Sequence, residues 1–146
     1  MTQQKINEME ASGNPTDVLE LGLLYLKGES VEQNPQKGLK LVDKGVAMFR
    51  EKGETPSFGH CLEAAMMTGN IKEGADGFRT PERLKQSIWL FETMTANEKG
   101  MKFMQETMGD QMVMMVTGLL RNAKKELEAA NNLQNTADSF NNFINN

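Results

Sequence analysis

The chain has 146 residues, enough for one domain with a modest core of its own. Hydrophobic residues make up 38%, and 20 acidic side chains outweigh 16 basic ones to leave a net charge of -4. That balance argues against a duplex nucleic-acid binder, which needs a basic stripe, and against adhesion to anionic lipid. The longest apolar run, roughly residues 112–120, falls short of the about 20 residues a membrane span needs. The first dozen residues, MTQQKINEMEAS, lack the apolar segment of a secretory signal. Cys61 is the only cysteine, so no intrachain disulfide forms. A cytoplasmic protein is expected.

Helical periodicity runs through most of the chain, with no convincing alternating strand. Residues 1–13 read as a polar N-terminal segment. Asn14-Pro15-Thr16-Asp17 opens a first helix, with Thr16 or Asp17 in reach of the N-cap and Gly28 placed to stop it. Asn34-Pro35 opens a second helix, which ends at Gly53. Thr55-Pro56-Ser57 starts a third, ended by Gly69-Asn70, and the glycine-rich stretch GNIKEGADGF follows as a surface loop. Thr80-Pro81-Glu82 starts a fourth helix, and Asn97 to Met108 reads as a fifth, stopped by Gly109. Asp110 caps a sixth, running to about Ala130. In the asparagine-rich segment 131–146, Leu133, Ala137, Phe140 and Ile144 share one helical face and predict a short docked helix. The expectation is an all-α chain, with residues 14–130 forming a single domain.

The helices fall into pairs. Setting Gly28 against Gly69 brings Leu21 onto Leu62 and Tyr25 onto Met66, and setting Pro35 against Pro81 brings Lys37 onto Arg83. A period of about 40 residues lies in the range of helical solenoids. The first pair carries the informative pattern: Leu21-Gly22, Tyr25, Gly28 and Val31, followed by Lys37 and Lys44. Gly22 and Gly38 lack side chains, so two helices can approach closely where they cross, at roughly 1 kcal/mol per helical glycine relative to alanine.

Residues 17–46 resemble a Sel-one-like repeat, a relative of the tetratricopeptide repeat, and residues 57–95 resemble a degenerate second copy. Ser30 stands where that family has a second loop glycine, Asn34 where it has Asp, Leu41 where it has an aromatic, and Gly38 and Gly45 where it has alanines. The resemblance implies a short helix-turn-helix solenoid with C-terminal capping helices, serving as a scaffold or adaptor that binds protein or peptide in its concave face. It also implies that the first helix of each pair lines that face, which makes Glu20, Leu24, Lys27, Phe58 and Cys61 the expected partner-facing residues. Leu21, Gly22, Tyr25, Gly28, Val31, Lys37, Gly38 and Lys44 would build the repeat.

Other features offer less. Met101, Met104, Met108, Met112 and Met115 step by three or four. Core filling, a plastic groove for a partner helix, and copper(I) ligation are the readings, and core filling is the preferred one because the thioether adapts to irregular gaps. His60 and Cys61 are neighbours that point to different helix faces, a poor nucleophile–base pair. Zinc would need further Cys or His ligands that the chain does not have. No cofactor and no metal are expected. The favoured function is a non-catalytic protein-interaction module, monomeric or a weak homodimer. An immunity protein, a chaperone for a secreted effector, and a hydrolase hidden in a helical scaffold are the alternatives.

Overall fold

The computed structural model describes residues 1–69, 71 and 79–145, so GNIKEGADGF lies mostly outside the described residues. Among those residues all regular structure is α-helical, in seven helices. The contacts gather into two compact units, Met1–Asn70 and Ile71–Asn146. The expected second pair, residues 57–95, is therefore divided between the units.

In the first unit, the segment read as merely polar is a helix, α1 (Gln3–Ala11). Thr2 caps it, accepting from the Lys5 N–H at 3.2 Å. Ile6 and Met9, three residues apart and so on one face, join Val18, Leu21, Tyr25 and Leu41 in a buried cluster. Helix α2 (Pro15–Lys27) is capped by Asn14, whose Oδ1 accepts from the Thr16 N–H at 2.9 Å. Pro15 takes the first helical position with its fixed φ, which moves the cap upstream of Thr16 and Asp17. Helix α3 (Pro35–Lys52) repeats the device, with Asn34 accepting from the Lys37 N–H at 3.1 Å. Gly28 and Gly53 end α2 and α3 at φ 72° and 66°, the left-handed region where glycine carries no steric penalty.

Three glycines let α2 and α3 touch backbone to backbone. A Cβ at Gly22 would lie 2.7 Å from the Val42 nitrogen, one at Gly38 2.8 Å from the Gly22 oxygen, and one at Gly45 2.9 Å from the Leu19 nitrogen. Around this crossing Val18, Leu19, Leu21 and Val42 are fully buried. Helix α4 (Phe58–Thr68), capped by Ser57, packs on α2. Three lysines of α3 hold the chain that leaves α1. Lys37 pairs with the Glu10 carboxylate at 3.6 Å, Lys44 donates to the Glu10 carbonyl at 3.3 Å, and Lys52 donates to the Gly13 carbonyl at 2.8 Å.

The second unit holds α5 (Pro81–Thr95), α6 (Glu98–Met108) and α7 (Asp110–Asn145). Thr80 and Asn97 cap the first two. Gly109, at φ 88°, turns the chain between α6 and α7. Leu84, Leu90, Met94, Met104 and Val116 are buried, and Trp89 is half-buried. Lys124 on α7 reaches Glu92 on α5 at 3.2 Å. The segment from 131 onward is not a separate docked helix. It continues α7 without a break, and its apolar residues stand in solvent, Leu133 at 73% and Phe140 at 61% exposure. The physical reason lies in the residues: after Gly118 no glycine or proline occurs to stop the helix.

Candidate functional site

The motif residues build the hairpin. Leu21 and Tyr25 are in the core, with Val31 packed against it. The Lys37 ammonium lies 5.0 Å from the centre of the Tyr25 ring, a cation–π placement that also points the lysine toward Glu10. Ser30 has φ 63°, so the turn imposes at this position a left-handed backbone that side chains rarely adopt and glycine meets more easily. A polar cavity of about 630 Å³ opens beside this turn, lined in part by Ile6, Tyr25, Ser30, Val31 and Lys37.

The outward face of α2 is where the sequence places a binding surface. Glu20 is exposed, and Leu24 and Lys27 are half-buried. Lys27 crosses to α4, its Nζ 2.5 Å from Glu63 and 3.4 Å from Glu29. The hydrogen bond to Glu63 raises the Lys27 pKa above its ordinary value, and partial desolvation opposes that rise. Glu20, Leu24 and Lys27, four and three residues apart, share one face of α2, and the Lys27–Glu63 pair joins that face to α4. Glu63 was not foreseen. An ion pair between two helices leaves no spacing signature in a sequence.

On α4 the placement differs from expectation. Phe58 is half-buried, but Cys61 is only 1% exposed and Ala65 and Thr68 lie inside with it. The small side chains on this face let α4 pack closely, so the face expected to look outward is the one turned in. Cys61 is not presented to a partner, and the correction follows from side-chain size. Its thiol donates to the Pro56 carbonyl at 3.7 Å, and burial raises its pKa to about 11. His60 meets Ser57 instead, Nδ1 to Oγ at 3.0 Å, in the cap of its own helix. Among the described residues no group of three or more His, Cys, Asp or Glu could hold a metal ion.

The methionine run divides at Gly109. Met104 is fully buried, Met101 and Met112 are half-buried, and Met108 and Met115 are exposed at 54% and 44%. The run is thus part core and part surface. No described helix is long and apolar enough to cross a membrane. Comparison with protein-family models, with curated proteins and with solved structures found no match.

Proposed function

We propose that the chain is a non-catalytic protein-interaction module of Sel-one-like, tetratricopeptide-related design, which binds a protein or peptide on the strip formed by α2 and α4. The observation that carries this reading is the Lys27–Glu63 pair, which ties the two helices side by side with Leu24 between charged neighbours. A half-buried leucine flanked by an exposed carboxylate and an ammonium suits a segment that inserts one apolar side chain and satisfies its polar groups at the rim. Glu20, Leu24, Lys27 and Glu63 form the proposed surface. The same surface would serve an adaptor, a chaperone for a secreted effector or an immunity protein.

Affinity capture from the native host, read by mass spectrometry, tests the proposal with Leu24→Arg as the comparison. A partner held by the wild type and released by a folded Leu24→Arg supports the strip. Retention of every partner by that variant sinks it.

A further inference from the structure

Helix α7 carries a second surface, and its apolar residues follow a heptad. Val116, Ala123, Ala130, Ala137 and Ile144 recur every seven residues, with Leu133 and Phe140 between them at the steps of three and four that mark a coiled-coil seam. Inside the unit this seam is already used: Val116 and Ala123 are 0% and 1% exposed where α5 and α6 pack on α7. Past residue 130 the same seam runs on without a covering helix. Leu133 is 73% exposed, Phe140 61%, Phe143 82% and Ile144 60%.

We infer that this exposed continuation is a self-association surface, on which a second copy of the chain packs its own residues 131–145 in antiparallel order. Side-chain size selects the direction. In antiparallel pairing about a two-fold axis between residues 138 and 139, Phe140 falls opposite the partner copy's Ala137, and Leu133 falls opposite its Ile144. Each bulky ring then meets a methyl, and the two branched aliphatics meet each other. Parallel pairing would instead stack Ala137 on its twin and Phe140 on its twin, a gap beside an overfilled layer, which close-packed cores tolerate poorly.

Charge selects the partner. The positions flanking the seam in 131–145 are Gln134, Thr136, Asn141 and Phe143, and Asp138, on the outer face, is the only ionisable side chain of the segment. Flanking charges ordinarily set partner choice and orientation in coiled coils. A flank without them gives an acidic or basic partner nothing to recognise, whereas a second copy meets no like charge. Covering Leu133, Phe140, Phe143 and Ile144 on two copies removes on the order of 900 Å² from water, close to the roughly 1,000 Å² of a specific interface. A reversible dimer at micromolar to submillimolar concentration is the expected strength.

Sedimentation velocity of the full chain tests this as concentration rises. The apparent mass should climb from 16.3 kDa toward twice that value, and Leu133→Asp with Phe140→Asp should hold it at the monomer while circular dichroism shows the helix retained. A nitroxide on Asn145→Cys, in a Cys61→Ser background, reads direction. Antiparallel pairing sets residue 145 beside the partner copy's 132, so the two labels stand about 20 Å apart along the axis. A monomer at every concentration, a dimer that survives both aspartates, or labels close enough to broaden each other's spectra would each overturn the inference.

Discussion

At the scale of single residues, the hairpin depends on what Gly22, Gly38 and Gly45 omit. Gly22→Ala forces a methyl to within 2.7 Å of the Val42 nitrogen, and backbone cannot yield as a flexible side chain can. The variant should lose about 2–3 kcal/mol of unfolding free energy in urea titration. Gly59→Ala, where a Cβ meets nothing within 4 Å, should be neutral or stabilising by up to about 1 kcal/mol, which separates crowding from glycine replacement in general. Cys61 yields a pH prediction. Its folded pKa of about 11 lies above the ordinary 9.0, so the folded chain holds this proton more tightly than the unfolded chain does. The corresponding stability is complete below pH 9 and is lost as pH rises through 11. Unfolding free energies across that window should fall in the wild type and fall less in Cys61→Ala. The native thiol should also resist a thiol reagent at neutral pH and react at once in denaturant. At this scale the glycine crossing and the Gly28 cap were legible, because each is a backbone requirement that only certain residues meet. The burial of Cys61 was not: its neighbours on α4 are small, and small residues mark a close-packed face without saying which way it turns.

At the scale of elements, punctuation carried the reading. Asn-Pro at 14–15 and 34–35, Ser57 and Thr80 start helices where expected, and Gly28, Gly53 and Gly109 end them. Asn34→Ala should therefore destabilise the first unit by about 1 kcal/mol, measured as a lower denaturation midpoint. The methionines offer a contrast within one helix. Met104→Ala removes a fully buried side chain and should cost about 2–4 kcal/mol, whereas Met108→Ala, 54% exposed, should stay within about 0.5 kcal/mol. Two elements escaped the sequence. Helix α1 is nine residues long with two buried apolar side chains, too few to show a period; it is held by the core and by Lys37 and Lys44, which reach Glu10 from α3. The sequence of α7 suggests two pieces because its composition changes to asparagine near residue 131, yet composition does not break a helix that has neither glycine nor proline there.

At the scale of the whole molecule, the all-α class was legible because helical period and capping residues agree along the chain. The grouping into units was less so. A shift of about 40 residues pairs α4 with α2 and α5 with α3, while the contacts place α4 and α5 in separate units. Local pattern specifies each helix and its caps, but which helices gather together depends on side chains far apart in sequence. The proposed function sits in the first unit, on a strip whose chemistry comes from Glu20, Leu24, Lys27 and Glu63. Neutralising the pair with Glu63→Gln should weaken partner binding mildly and more visibly at low salt, since the pair is part-exposed and screened by ions.

The most direct measurement is calorimetric titration of the captured partner, purified, against the wild type and against Leu24→Arg. The account predicts at least about a tenfold loss of affinity, about 1.4 kcal/mol, with helix content and unfolding midpoint unchanged. Equal affinity for the two proteins would contradict it and take the binding surface away from the α2–α4 strip.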